Sequence, residues 1–153
     1  MDLQSYIGAT LSIAAGSFPA TEDKSGYEGE TYEPIGKILS IGEIGDQHAA
    51  IEIATLAGRN IRVVGIADGG AVEVVLAFDE EDAGQTDLTS INGSNTMSAF
   101  RIVDPAPATA QKVVYFGGLV ASLRDNARTP TNYRGKAFQL FVNTAVLRTT
   151  AAA

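Results

Sequence analysis

The sequence predicts a mainly β chain, a sandwich or barrel carrying one helix, and three observations carry that expectation. Short runs of β-branched and small apolar residues recur between turn residues along most of the chain. Sixteen glycines and 7% aromatics, against 45% hydrophobic residues, imply many turns and a core of Val, Ile, Leu and Ala. Only residues 79–92 combine a helix start signal with a stop signal. At 153 residues the chain is most simply one domain, 1–153.

Residues 5–14 open with a β-type run that breaks at Gly16-Ser17-Phe18-Pro19. Residues 15–34 are polar and acidic with little periodicity and read as a long extended loop. Loops of that length in compact domains are often functional. Its aromatics Phe18, Tyr27 and Tyr32 are therefore candidate contacts with a neighbouring subunit. A strand follows over 35–41, then a turn over 42–47. Residues 49–56 alternate around Ile51-Glu52-Ile53, turn at Ala57-Gly58-Arg59-Asn60, and return over 61–66 as a hairpin. Asp68-Gly69-Gly70 turns into a strand over 71–78 that alternates around Glu73. The helix is expected over 79–92. Asp79-Glu80-Glu81-Asp82 crowd its start, where the dipole favours acids, and Asn92-Gly93 stops it. A strand over 97–103 precedes two long β runs, 111–123 and 133–148, flanking a polar turn with Pro130. A 13-residue strand spans roughly 43 Å. That is long beside a radius of gyration near ~15 Å, so the late hairpin either bends across two sheets or exposes unpaired edges. Gly117-Gly118 inside the first run signals a bulge or close backbone packing. Residues 149–153 read as a frayed tail.

Charge is uneven. The net charge is −7, but residues 1–100 hold sixteen acids against Lys24, Lys37, Arg59 and Arg62, a balance of −12. Residues 101–153 hold Asp104 and Asp125 against seven bases, a balance of +5. Such asymmetry fits either a solvated surface or a face of one copy meeting the opposite face of another. On the second reading Arg124, Arg128 and Arg134 are candidate intersubunit contacts. The acidic total disfavours tight wrapping of nucleic acid. The chain has no cysteine, which excludes disulfides and thiolate zinc sites. No stretch reaches 18 apolar residues, so no membrane anchor is expected, and the first residues lack the pattern of a signal peptide.

Catalytic patterns are wanting. The single histidine, His48, could act as a base beside Asp46, but no second histidine or cysteine supports it, and a solvated turn residue is the simpler reading. Asp79 to Asp82 lack calcium-loop spacing and are explained by a helix start. No phosphate loop or nucleophile elbow is present. We therefore expect no enzyme, no cofactor and no metal.

Several strings together carry a resemblance. They are Ile35-Gly36-Lys37-Ile38, Ile41-Gly42-Glu43-Ile44-Gly45-Asp46, Gly65-Ile66-Ala67-Asp68-Gly69-Gly70, Asp79 to Thr86, and Phe116-Gly117-Gly118-Leu119-Val120-Ala121-Ser122. In this order and spacing the chain resembles the major tail tube proteins of long-tailed, siphovirus-like bacteriophages over residues 35–148. The resemblance implies two packed antiparallel sheets with one flanking helix near 79–92. It implies hexameric rings that stack into a tail tube, whose inner strands merge into one barrel around a channel. The implied partners are further copies, a tape measure protein, tail terminator and distal tail or tip proteins, and double-stranded DNA passing transiently without specific binding. The implied location is the virion tail, assembled in the host cytoplasm. The loop over 15–34 would reach a neighbour, and acids such as Glu52 and Glu73 are candidate lumen residues that repel phosphate. Unlike in many such proteins, no added immunoglobulin-like domain is expected. Two alternatives stand beside this one: a tube protein of a contractile injection or type VI secretion-like system, and a monomeric β-barrel binding module.

Overall fold

The computed structural model describes residues 5–105 and 111–150. Ten strands and two helices follow in chain order: β1 (Thr10–Ala14), α1 (Lys24–Glu28), β2 (Glu33–Ile35), β3 (Ile38–Ile41), β4 (Gln47–Ala54), β5 (Asn60–Asp68), β6 (Ala71–Ala77), α2 (Ala83–Ile91), β7 (Ser98–Val103), β8 (Lys112–Asp125), β9 (Gly135–Val142) and β10 (Leu147–Thr150). The main sheet runs β2-β1-β7-β8-β9-β6-β3, with β10 also on β8, while β4 and β5 pair only with each other. Every pairing is antiparallel.

The long β8 joins two layers. Its first half lies between β7 and β10, Val113 to Gly118 facing β7 and Lys112 to Tyr115 facing β10. Its second half, from Gly118 onward, pairs with β9. Of the two outcomes open to so long a strand, bending across two sheets is the one realised. A bulge between Ala121 and Arg124, with Ser122 at φ 57°, twists its end. At the other corner β2 passes into β3 through Gly36 and Lys37, the latter at φ 60°.

The core lies between the layers. Leu11 and Ile13 of β1, Phe100 of β7, Phe116 and Val120 of β8, Phe138 and Leu140 of β9, and Val72 and Val74 of β6 are all buried there. They are the inward positions of strands with period two. Phe100 and Phe116 stack with centroids 5.2 Å apart. Helix α2 closes one side of the sandwich with Leu88. Gly84 explains why a glycine is tolerated there: a Cβ would sit 2.3 Å from the Pro34 carbonyl oxygen. The helix and β2 touch backbone to backbone.

Several boundaries differ from the sequence reading. The first strand begins at Thr10, because residues 5–9 turn back with the Ala9 amide on the Tyr6 carbonyl at 2.9 Å. The helix begins at Ala83. Asp82 is its N-cap, accepting from the Gln85 amide at 2.9 Å, and Asp79 to Glu81 form the turn before it. The second late run is broken over 143–146, so that β9 and β10 serve different halves of β8. Thr149 and Thr150 are not frayed, since they pair with Val113 and Lys112; residues 151–153 lie outside the described residues.

The segment over 15–34 is not an extended loop. It contains α1, capped by Asp23, whose carboxylate accepts from the Gly26 amide at 2.7 Å. It lies across the outer face of β1, β7 and β8, where Phe18, Tyr27 and Tyr32 cover Ala99, Val113 and Tyr115.

Candidate assembly surfaces

The hairpin of β4 and β5 is the outstanding surface. Its end is formed by Gly58 at φ 82° and by the Thr55 hydroxyl donating to the Arg59 carbonyl at 2.7 Å. Its register pairs Ile51 with Val63 and Ile53 with Ile61 on one face, and Glu52 with Arg62 on the other. Alternation therefore gives one face a wholly apolar ladder, while the other face sets the Glu52–Arg62 pair between the Ala50–Val64 and Ala54–Asn60 pairs. Ile51, Ile53, Ile61 and Val63 remain 51%, 48%, 51% and 41% exposed. At roughly 3.4 Å per residue the arm is roughly 30 Å long. An isolated two-stranded hairpin is marginal in water, and a contiguous exposed apolar face marks a contact surface. The sequence reading found this hairpin but did not single out the ladder of Ile51, Ile53, Ile61 and Val63. The available signal was β-branched residues filling the same face of both strands.

Glu52, a candidate lumen acid, is ion-paired with Arg62 at 3.1 Å, so its charge is largely offset. Glu73 lies exposed on the outward face of β6, opposite Gln139 of β9, and Gln139 is in turn opposite Ala121 of β8. Neither neighbour is charged.

The aromatic candidates of residues 15–34 are engaged within their own chain. Tyr27 is completely buried, stacked on Tyr115 at 5.2 Å and met edge-on by Phe18 at 6.0 Å. The Tyr32 hydroxyl donates to the Tyr27 carbonyl at 2.9 Å, and the Arg101 guanidinium lies 4.7 Å over the Tyr32 ring. Burial pushes the phenols of Tyr27, Tyr32 and Tyr115 above their usual range, so all three stay protonated. Gly117 makes room for this strap, because a Cβ there would lie 2.1 Å from the Phe18 ring. Tyr27 thus has no surface left for a neighbour; Phe18 and Tyr32 are half-buried.

The three arginines gather at the end of the sandwich formed by the β8–β9 turn. Arg128 pairs with Asp125 at 3.0 Å, and Arg134 reaches Glu80 at 3.6 Å while lying 4.9 Å over the Phe78 ring. Lys136 also approaches Asp125, at 3.9 Å. Part of the charge asymmetry is therefore satisfied within one chain. Such exposed pairs contribute about 0–1 kcal/mol each. Arg124 stands exposed opposite Ala137, with no ion pair among the described residues.

Little remains for chemistry. His48 is exposed on β4 opposite Ala67. Asp79 accepts from the Glu81 amide at 3.1 Å and Asp82 caps α2, which accounts for the acidic run. Among the described residues, no three His, Cys, Asp or Glu gather as a metal would need, and no helix is long and apolar enough to cross a membrane.

No protein-family model matches the chain and no curated protein does. Solved structures do. A sheath/tube terminator of the extracellular contractile injection system PVC superposes with a TM-score of 0.69 at 10% identity, covering 97% of each chain. A chain in the tail of the empty gene transfer agent particle superposes with a TM-score of 0.66 at 12% identity, covering 98% of this chain and 100% of its own. The SPP1 tail tube gives 0.61 at 13%, covering 95% and 78%. This is the tail tube fold. The tail tube fold is shared by tube and terminator proteins, whose roles are structural, and the two layers with α2 at their side agree with the architecture that the sequence resemblance implied.

Proposed function

We propose that the protein is a self-assembling tail tube subunit whose copies form hexameric rings that stack into a conduit for DNA ejection. The observation that carries this reading is the β4–β5 hairpin, whose apolar face is uncovered in the single chain. Burying the exposed half of four such side chains contributes about 4 kcal/mol per contact, taking roughly 2 kcal/mol for a whole side chain. The C6 symmetry of the gene transfer agent tail supports the ring order. Phe18, Tyr32, Arg124, Arg128 and Arg134 are secondary contacts at the rims. The outward face of β6 and β9, with Glu73 and Gln139, lines the lumen. There Glu73 repels phosphate over about 8 Å at physiological salt, so DNA passes without specific binding. Tape measure protein fills the channel before ejection, terminator and tip proteins meet the ends, and the finished particle is a virion tail assembled in the host cytoplasm.

Electron microscopy of the concentrated protein tests this. Hollow tubes of regular diameter support it. Ile53→Asp combined with Ile61→Asp should abolish tubes and leave a folded monomer. A wild type that stays monomeric with tip and tape measure components present refutes it.

A second reading, a terminator that caps a tube, is favoured by the TM-score of the injection-system terminator, 0.69 against 0.66 for the gene transfer agent tail chain and 0.61 for the SPP1 tail tube. It predicts single rings that never lengthen.

A further inference from the structure

The two layers gape at the end away from the β8–β9 turn. A groove of about 990 Å³ opens there between β3 and β10. That matches the larger ligand clefts. Ile38, Leu39, Ile41 and Ile44 line one wall, and Ile102 and Val114 lie deeper. Both walls are free strand edges among the described residues, since β3 bonds only to β6 and β10 only to β8.

We infer that this groove is the seat for the β4–β5 hairpin of a second copy. The inference rests on the self-assembly proposed above and names the surface that receives the arm. The hairpin offers what the groove lacks: an apolar ladder, Ile51, Ile53, Ile61 and Val63, bounded by two unpaired edges of its own. Free edges bordering a groove invite strand addition. The charges of each surface are balanced, Glu43 and Asp104 with Lys112 and Arg148 in the groove and Glu52 and Asp68 with Arg59 and Arg62 on the arm and its turn, so no net charge opposes their meeting. The arm cannot fill its own groove in this fold. The two-residue link of Gly69 and Gly70 ties β5 directly to β6, and no residue of β4 or β5 lines the groove. The Gly70 amide donates to the Asp68 carboxylate at 2.9 Å, which holds that link.

The cysteine-free chain makes disulfide trapping clean. Ile53→Cys protein is mixed with Leu39→Cys protein under assembly conditions, oxidised, and run on a non-reducing gel. The control partner is Thr129→Cys, on the β8–β9 turn. A 53–39 heterodimer yield at least fivefold above that of 53–129 is expected. Equal or lower yield from particles that still assemble overturns the groove assignment and leaves self-assembly standing. No cross-link in either mixture, with only monomer in sedimentation, overturns both. Leu39→Glu, at an exposed position, gives an independent reading. It should abolish assembly without lowering Tm, and particles that persist overturn the inference.

Discussion

Gln85 offers the sharpest test of how the two layers are held at their second corner. The side chain is almost fully buried and all of its main hydrogen-bonding capacity is used. Its Nε2 donates to the Gly36 carbonyl and to the Ala77 carbonyl, each at 2.9 Å, and its Oε1 accepts from the Asp79 amide at 3.0 Å. One amide thus ties the β2–β3 corner, the end of β6 and the turn before α2. Each bond contributes about 1 kcal/mol net, so Gln85→Ala should cost about 3 kcal/mol. In a chain of this size 1 kcal/mol corresponds to roughly 2–4 °C, so Tm should fall by about 6–12 °C. Circular dichroism melts of dilute, unassembled protein measure this. Gln85→Glu sharpens the result. It keeps the acceptor for Asp79 but turns a carboxylate toward two carbonyls, which raises its folded pKa. The resulting penalty is present above that raised pKa and is lost as pH falls through it toward the ordinary carboxylate value, where the protonated acid regains one donor. A Tm loss under about 2 °C for the alanine variant, or no pH dependence for the glutamate variant, would refute the staple.

Other consequences follow from the same geometry. Gly84→Val should destabilise by several degrees despite valine's better helix propensity, because its Cβ meets the Pro34 carbonyl oxygen at 2.3 Å; thermal melts read this. Gly117→Ala should displace the Phe18 ring and loosen residues 15–34, seen as faster proteolysis of that segment while the sandwich persists. Asp104 is held above the ordinary 3.8 by desolvation. Its charged form is therefore disfavoured in the fold, a penalty present above its folded pKa and removed as pH falls through it toward 3.8. Asp104→Asn should lie above the wild type in urea midpoint at neutral pH, with the difference closing on acidification.

Strand alternation made the body legible. Val72, Val74 and Leu76 on β6, or Phe138, Leu140 and Val142 on β9, declare a buried face by spacing alone. The hairpin and its turn were legible for the same reason. What escaped was decided by contacts distant in sequence. Tyr27 looks like a surface aromatic among acids until Tyr115, far along the chain, supplies its stacking partner. The arginines look free until the fold brings Glu80 beside Arg134. Gln85 carries no local signal, since its three partners lie on separate segments. Glu52 was legible as an outward acid, but its neutralisation by Arg62 depends on the hairpin register.

The contrast between body and arm bears on how assembly would be controlled. The sandwich buries its own aromatic strap and closes both corners within one chain, so it can fold before it meets another copy. The arm cannot complete itself: its Glu52–Arg62 pair is exposed and contributes about 1 kcal/mol at most, and its apolar face has no cover. Its order should therefore be linked to subunit concentration by mass action. Amide hydrogen exchange on dilute and assembled protein separates the two parts. β8 and β9 should be protected in both states, while β4 and β5 should gain protection only on assembly. Equal protection of β4 and β5 in the dilute monomer would mean that the hairpin is stable alone, and its apolar face would no longer argue for a partner.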